Sequence, residues 1–437
     1  MVNENPRYSV LYKLNVSLLI YDLSKYKILE IPNSDVISIA MIHNYDNATF
    51  PIIRLRLYTD LTTMLYLTEN PDNIHVSISM YGNVYRMNSD EQVSTTPVSG
   101  ATNIEMCLKG YIENKNTPTS IMDNYDQGVE RENDLNVSRK VPIELYCFDD
   151  KLIHYMRTKV KSIYKDMTIT SIIETIFRNQ GIVNLHIDSM LNQQRYDQVL
   201  IPNLNINETL SFFESMYGMY EKGTQVYGDI DKTYITNTDV NTSNPLLIYV
   251  ESYKNNSDMG GMRKVDSTYN MNIKAENVSI LSETEIEKIF NAEFLNAVNV
   301  NSLLTSNIIM SKLYSNLSFD EINKYLGKLD GKEKDKGLKE ISESFAVPDI
   351  LHKSKSDYIL STLAARVVEK MTQMDVSGVG FDVGKLKINT RYNLIFDTPI
   401  RGRDINSQYR ATYVTHVFTN LDSDLFIAQT TMHLCSN

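Results

Sequence analysis

The sequence is poor in cysteine, contains no tryptophan and lacks a long apolar run. Its three cysteines, Cys107, Cys147 and Cys435, are odd in number and far apart, so they predict no disulfide framework and suit a reducing compartment. The densest apolar stretches, such as residues 16–21, are only as long as a strand, and the N-terminus has no basic region followed by an apolar core. These absences predict a soluble protein that folds in a cytoplasm, with no secretory signal and no membrane-spanning segment.

The 437 residues also lack an excess of basic side chains. They include 43 Lys and Arg against 54 Asp and Glu, which gives a formal net charge of −11 at pH 7. A surface that binds nucleic acid through phosphate contacts needs the opposite balance. We therefore expect no such surface, although DNA could still pass beside the protein. The length is sufficient for about two to four domains with a sizeable core.

No catalytic or cofactor-binding signature is present, since the G-x-S-x-G, P-loop and G-x-G-x-x-G motifs are all missing. None of the histidines has the spacing of a metal site. For His154, which follows Asp149 and Asp150, a solvated helix start is favoured over a ligand cluster. His416 is expected to be a core or interface residue with a hydrogen-bond partner. We predict no catalytic, cofactor-binding or metal-binding residue and no cofactor. The seven histidines are His43, His75, His154, His186, His352, His416 and His433.

Two further clusters are interpreted as structural. Gly378, Gly380 and Gly384 lie in a strand–turn region with no helix after it, which is typical of a β-turn or bulge rather than a phosphate-binding loop. An acidic group lies in the polar stretch 114–140, which has no periodicity, no nearby histidine and no EF-hand spacing. We interpret it as part of a solvated loop, with a divalent-cation site as the alternative. The group comprises Asp123, Asp126, Glu130, Glu132 and Asp134.

Residues 1–147 and the C-terminal region are predicted to be rich in strands, because apolar and polar residues alternate there. Many short strands with one helix, expected at 59–68, are typical of a barrel or a sandwich. Residues 281–375 change character and are predicted to be helical, with a charged surface loop at 327–339 and a helix at 358–374. The predicted strands are 8–16, 36–42, 51–58, 74–81, 105–112, 142–147, 246–250, 269–273, 385–388, 392–396, 409–418 and 425–434, the last two joined by a hairpin at 419–424.

Residues 148–240 are predicted to form a mixed unit with two amphipathic helices joined by an extended link. The first helix is capped by Thr168 or by Ser171, the latter in a capping box with Glu174, and stops at Gly181. The second begins after Asn205 and stops at Gly218. A hairpin is expected at 223–236. The inner faces of the helices consist of Ile169, Ile172, Ile173, Ile176 and Phe177, and of Ile206, Leu210, Phe213 and Tyr217.

This helix–link–helix unit resembles the middle domain of the trimeric baseplate hub of contractile-tailed phages, a family related to the hub part of type VI secretion spikes. A late Y-V-x-x-V step before a polar hairpin adds to the resemblance, as does the order of the predicted regions. The matching residues are Thr168, Ile169, Ile172, Ile173, Ile176, Phe177, Pro202, Leu210, Phe212, Tyr413, Val414 and Val417.

The resemblance implies an α+β fold. It has a first tube-type β-barrel at 1–147, an inserted α/β domain at 148–240, and a second β-barrel made of 241–280 and 376–437. A helical insertion occupies 281–375. The implied function is a non-enzymatic structural hub of the virion, assembled in the host cytoplasm, which joins the tail tube to the central spike as a ring with a passage for DNA. The implied partners are two further copies in a homotrimer, the tail tube protein, the central spike protein and other baseplate proteins.

Two other function classes remain open. One is a tail-associated cell-wall hydrolase with hub-like domains, which the missing catalytic motifs disfavour. The other is a β-sandwich adhesion or binding module, which a mass measurement in solution would separate from a trimer.

Overall fold

Strands dominate the part of the chain that the computed structural model describes. That part consists of residues 7–22, 25–44, 50–87, 94, 96–112, 140–190, 192–220, 224–229, 232–237, 246–251, 262–265, 268–280, 372–396, 408–422 and 424–436. The predicted acidic group at 123–134 and the predicted loop at 327–339 lie outside it, as does His352. Within it, no helix has the length and apolar character needed to cross a membrane.

The described residues of the N-terminal region form seven strands and one helix. The strands are β1 (Arg7–Asp22), β2 (Lys25–Ile31), β3 (Val36–Asn44), β4 (Ile52–Asp60), β5 (Ile74–Met87), β6 (Ser99–Ile112) and β7 (Lys140–Phe148), and the helix is α1 (Leu61–Glu69). Short 3₁₀ turns occupy Asn33–Asp35 and Pro71–Asn73. The six predicted strands and the predicted helix are confirmed, and several strands are longer than the alternating pattern indicated. The strand β2 was not predicted.

The middle of the chain, residues 150–237, contains three helices and seven short strands; we call it the middle unit. The helices are α2 (Asp150–Arg157), α3 (Ile169–Asn179) and α4 (Ile206–Tyr217). The strands are β8 (Lys159–Tyr164), β9 (Met167–Thr168), β10 (Leu185–Ile187), β11 (Arg195–Tyr196), β12 (Val199–Asn205), β13 (Thr224–Gly228) and β14 (Thr233–Asn237). The predicted helix pair and the hairpin β13–β14 are confirmed.

Where the late region is described, it adds seven strands: β15 (Leu246–Glu251), β16 (Met262–Val265), β17 (Thr268–Ile280), β18 (Thr372–Val379), β19 (Arg391–Phe396), β20 (Gln408–Asp422) and β21 (Leu425–Ser436). The prediction of a helix over 358–374 is wrong for its last three residues, because β18 pairs on both sides, with β17 and β21. The predicted strand 385–388 is also wrong. There the backbone forms local bonds in the 3₁₀ turn Val383–Lys385, with Leu386 N–H donating to Val383 O at 3.2 Å. The hairpin between β20 and β21 is tighter than predicted, since Asp422 pairs with Leu425.

Eight strands close an antiparallel barrel in the order β1–β5–β6–β7–β4–β3–β20–β21. The closing ladders join β3 to β20 over seven residue pairs and β21 to β1 at Leu11–Ile427 and Tyr12–Phe426. The C-terminal strands therefore complete a barrel that begins at the N-terminal end of the chain. The C-terminal strands were predicted to belong to the second barrel alone, so their part in closing this barrel was not predicted.

The strand pairings also trace a second closed path. It runs β15–β19–β20–β21–β18–β17 and returns to β15, whose ladders with β19 and β17 are parallel. The strands β20 and β21 pair with each other and belong to both paths, because the other edge of each is divided between two neighbours: β20 pairs with β19 and then β3, and β21 pairs with β1 and then β18. The division into two separate barrels with an inserted α/β domain stays a prediction.

The barrel interior follows from the two-residue period of its strands. Along β4, Ile53, Leu55 and Leu57 are buried in the barrel core while Arg54 and Arg56 face outward. The barrel core continues into the late region, where Tyr392 and Phe418 are fully buried.

The middle unit has a core of its own, formed where α3 and α4 pack on the short strands. Thr168 caps α3 by accepting a bond from Ser171 N–H, so the alternative of a Ser171–Glu174 capping box is wrong. Asn205 and Glu208 form a capping box at the start of α4. The predicted inner residue Phe213 is fully buried. The capping chemistry therefore determines where both predicted helices begin.

Candidate functional site

A cleft of about 410 Å³ lies where the barrel, the middle unit and the segment after the 3₁₀ turn Val383–Lys385 meet. We call it the junction cleft. Its walls come from β3, β6 and β20 of the barrel, from the hairpin β13–β14, and from residues 383–390. The side chains that matter most are His43, His416, Tyr227, Asp229 and Lys387.

Phe50 anchors the middle unit to the barrel beside this cleft. It precedes β4 in the sequence, yet it is buried in the core of the middle unit and contacts Tyr155 edge to face at 5.8 Å. The ring lies directly against the backbone of Gly228, where a Cβ atom would overlap it. A glycine is therefore required on β13 for this contact to form.

An ion pair crosses the junction beside this anchor. The ammonium of Lys387 binds the carboxylate of Asp229 at the end of β13. The segment that carries Lys387 is itself held by Tyr392, whose hydroxyl donates to Lys387 O at 2.9 Å and accepts from Lys387 N–H at 3.0 Å. The Tyr392 ring is fully buried, and burial raises the pKa of its phenol. The lysine is thus presented to the middle unit by a backbone segment fixed in the core.

Two buried histidines form the floor of the cleft. His43 on β3 and His416 on β20 approach with ring centroids 6.4 Å apart, and His416 Nδ1 is 2.9 Å from Thr430 Oγ1. Burial lowers the pKa of His43 to about 4; the carboxylate of Asp229 opposes this change and the ammonium of Lys387 adds to it. Burial lowers the pKa of His416 to about 3, and the neighbouring His43 makes a smaller contribution in the same direction. Both rings are therefore neutral at pH 7, as suits a core position.

The hairpin β13–β14 contributes a stacked pair of tyrosines to the cleft. The rings of Tyr227 and Tyr234 are parallel within 8° and lie 4.9 Å apart. Burial raises the pKa of Tyr227 to about 12, while the neighbouring side chain of Asn389 favours the charged form. The phenol therefore stays protonated in the cleft, whose wall includes the segment that carries Lys387.

A second link joins the late region to the barrel through Tyr12. Its hydroxyl donates to Phe381 O at 3.2 Å and accepts from Val383 N–H at 2.9 Å, contacts that span 369 and 371 residues. Gly380 precedes this link with a φ of 76°, a left-handed conformation that favours glycine, and a Cβ there would meet Ser9. The predicted turn at Gly380 is thus present, whereas Gly378 lies within β18 and Gly384 within the 3₁₀ turn.

The other histidines that the structure describes do not converge on one site. His433 is paired with Asp375 at 2.7 Å and His186 with Asp188 at 3.1 Å, both at partly exposed positions. His154 was expected at a solvated helix start, but it lies in the last turn of α2. Among the described residues, no group of three or more His, Cys, Asp or Glu is arranged to hold a metal ion. The three cysteines are free, and burial raises the pKa of Cys147 to about 12.

The arrangement holds parts of the molecule together, and sequence reasoning missed most of it. Asp229 and Lys387 are 158 residues apart. Phe50 and Gly228, which are in direct contact, are 178 residues apart in the sequence. His416 was expected to be a core or interface residue with a hydrogen-bond partner, and it is. His416 approaches His43 because of the β3–β20 ladder, in which His43 pairs with Val414, two residues before His416 on β20. No local sequence pattern predicts such long-range contacts.

Comparison with known proteins identifies the family. The sequence matches the family of the bacteriophage PBS1 gene 109 protein over residues 8–325, which is more than half of the chain. The chain belongs to the PBS1 gene 109 protein family. The expected relationship to phage proteins is thereby confirmed at the level of the family. A comparison with curated proteins finds no match.

Several solved structures are similar to this PBS1 gene 109 family member at low sequence identity. One is a 43 kDa tail protein of prophage MuSo2 from Shewanella oneidensis, with 10% identity, a TM-score of 0.45, and coverage of 96% of this chain and 97% of that one. Another is a tail protein from Neisseria meningitidis MC58, with 9% identity, a TM-score of 0.42 and 97% coverage of both chains. A third is the E. coli c3393 protein, a component of the type VI secretion system described as structurally similar to the T4 bacteriophage tail proteins gp27 and gp5. It has 8% identity and a TM-score of 0.39, and the match covers 92% of this chain and 74% of that one.

Proposed function

We propose that this chain is the structural hub of a phage-type baseplate. In this role it joins the tail tube to the central spike, as a homotrimeric ring with a passage for DNA. It acts without catalysis and without a cofactor, in the tail baseplate of the virion, after assembly in the host cytoplasm. Its partners are two further copies of itself, the tail tube protein, the central spike protein and other baseplate proteins.

One observation carries the proposal: the closed eight-stranded barrel shares β20 and β21 with a second closed path of strands. We take the two paths as the two tube-type barrels of one subunit. Three such subunits present six barrels, and this number matches a hexameric tail tube. Membership of a phage protein family supports a location in the virion. The hub-like residues of α3, α4 and β20 support the specific role.

Two alternatives fit less well. A cell-wall hydrolase with hub-like domains needs a catalytic group, and the junction cleft offers two neutral histidines beside an ion pair without an activated nucleophile. A monomeric adhesion module needs no shared strands between two closed paths. Both alternatives predict a monomer or an enzymatic activity rather than a ring.

The test of the hub proposal is the mass of the purified protein in solution. Sedimentation equilibrium across a wide concentration range should give a trimer of the 50.1 kDa chain. A protein that stays monomeric at every concentration contradicts the ring. Release of sugar or peptide fragments from purified cell walls by the wild type would favour the hydrolase instead.

The proposed passage has an electrostatic requirement of its own. A wall that lets DNA pass must not hold phosphates, so it should be neutral or acidic. Residues 1–147 carry 12 Lys and Arg against 18 Asp and Glu, whereas 376–437 carry 6 against 5. We therefore place the first barrel at the passage. Salt-sensitive binding of duplex DNA by the wild type at physiological ionic strength would contradict this placement.

A further inference from the structure

The outer surface of the barrel carries a cationic, tyrosine-bearing patch where β4, β7 and β6 lie side by side. The ladders place Arg54 opposite Tyr146, and Tyr146 opposite Tyr111, in one row across the three strands. Arg56 and Tyr58 follow along β4 on the same outward face, because side chains two residues apart share a face. We call these five residues the Arg–Tyr face.

The two arginines of this face are held in place by one carboxylate. Glu144 on β7 forms ion pairs with Arg54 and Arg56, and its side chain is only 11% exposed while the arginine side chains are 42% and 52% exposed. The guanidinium of Arg54 also lies 5.8 Å from the ring centre of Tyr146. Within the described residues, no other carboxylate pairs with either arginine.

The ion pairs with Glu144 leave N–H donors of the two arginines available to further acidic groups. A guanidinium carries five N–H donors, and one carboxylate shared between two arginines cannot use them all. The face therefore retains net positive charge and outward donors, with Lys109 adding a further cation beside Tyr111. Because Glu144 and the barrel strands already orient the arginines, little side-chain entropy is lost when a carboxylate binds.

The composition of the face matches that of a protein–protein contact. Arginine and tyrosine are enriched among residues that contribute most to binding, since they combine apolar area with directional hydrogen bonds. Tyr58 is 41% exposed, and a side chain of this size gains from being covered. The outward face of an antiparallel barrel in a solvated monomer is expected to be simply polar.

Charge decides which partner fits. The chain has a net charge of −11, so a second copy offers an excess of carboxylates to a cationic face. Duplex DNA offers anions too, but it is repelled by the rest of an acidic chain. A contact between two different surfaces of the same chain, one cationic and one acidic, is heterologous, and a heterologous contact generates a ring when the rotation between copies closes.

We propose that the Arg–Tyr face binds the acidic surface of a second copy of this chain and is one side of the contact between neighbouring subunits. This inference rests on the proposed trimer. It names the surface that the trimer uses.

The test compares two double variants of the full chain by sedimentation equilibrium. Arg56→Gln with Tyr58→Ser alters the Arg–Tyr face. Arg86→Gln with Tyr81→Ser alters exposed residues of β5 on the same barrel and is the matched control. The first should weaken trimer formation about tenfold or more, and the control should leave it unchanged. Circular dichroism and thermal unfolding check that both variants fold. Tyr58→Ser alone, which disturbs no ion pair, repeats the test if the double variant fails to fold.

The possible outcomes separate this inference from the proposed function. A trimeric wild type with an equally stable trimer of the face variant overturns the inference and leaves the hub proposal standing. A monomeric wild type overturns both. Salt-sensitive binding of duplex DNA by the wild type that the face variant loses assigns the face to nucleic acid and overturns the inference.

Discussion

The barrel joins strands from distant parts of the chain, whereas the middle unit, apart from the inserted Phe50, is assembled from neighbours within residues 150–237. Tyr12 on β1 bonds to a backbone group 371 residues away, and β3 pairs with β20. In the middle unit, by contrast, β8 pairs with β12 and β13 with β14. The two regions therefore depend on different kinds of stabilisation. Long-range closure orders the barrel, while capped helices and a small core order the middle unit.

This difference has an energetic side. Two- and three-stranded sheets are marginal in water by themselves, so the middle unit relies on the apolar faces of α3 and α4 to cover its short strands. The barrel has no free edge along its closed path, and its loop-closure entropy is offset only when the last ladders form. A substitution inside the middle unit should thus lower the stability of that unit mainly. Conditions that disturb the junction cleft should lower the stability of both regions.

The largest expected effect of a single substitution at neutral pH lies in the core of the middle unit. Phe213→Ala should lower the free energy of unfolding by about 3–5 kcal/mol, because the ring is fully buried and its removal leaves a cavity. Urea denaturation measures the loss, and amide hydrogen exchange should assign it to α3 and α4 rather than to the barrel strands. Phe212→Ala, at the half-buried neighbouring position, is the matched control. Equal shifts for the two variants would break the distinction between inner and outer faces of α4.

Acid should act on both regions through the junction. The pKa of His43 is about 4 and that of His416 about 3, both below the usual 6.5, so the unfolded state takes up protons first. The contribution of both rings is fully present above pH 6.5; that of His43 is lost as the pH falls towards 4 and that of His416 as it falls towards 3, with a slope of about 1.4 kcal/mol per pH unit for each ring. Urea denaturation at a series of pH values measures this slope. His416→Gln should reduce it by about half, whatever its effect at pH 7. An unchanged slope would contradict the buried pair.

Helix caps offer a direct contrast between the regions. Asn205→Ala in the middle unit and Asp60→Ala at the start of α1 in the barrel each remove a side chain that accepts an N-terminal N–H. Each should cost about 1 kcal/mol. The first should speed hydrogen exchange throughout α4, because the capping box with Glu208 is lost. The second should speed exchange in α1 and leave the strands of the barrel protected. Loss of protection across the barrel in the Asp60 variant would show that α1 is coupled to barrel closure.

The smallest expected effect comes from the ion pair at the junction. Lys387→Gln should change the free energy of unfolding by less than about 1 kcal/mol, because the Lys387 side chain is 47% exposed and water screens the pair. The measurement is a thermal unfolding scan at low and at 1 M salt, and the small difference should vanish at high salt. A larger, salt-independent loss would mean that the pair is more deeply buried in solution.

The success of sequence reasoning also divides along this comparison. The helices α3 and α4 were predicted with their inner faces, with the capping residue Asn205 and with Thr168 as one of two alternative caps, because periodicity and capping are local. Most barrel strands were predicted from alternation. Their partners were not, since no local pattern indicates that β20 lies beside β3. The Asp229–Lys387 pair, the insertion of Phe50 and the meeting of His43 with His416 depend on that pairing, and so lay beyond the sequence pattern.

The closure of the barrel by β20 and β21 has a consequence for synthesis of the protein on the ribosome. About 260 residues separate the end of β7 at Phe148 from the start of β20 at Gln408. At about 5–20 residues per second, roughly 13 to 50 s pass before the open edges of β1 and β3 can find their partners. During that interval the middle unit can already fold, while the nascent barrel exposes two strand edges to other chains. A chain interrupted before β20 therefore cannot form the finished barrel, because two of its eight strands are missing.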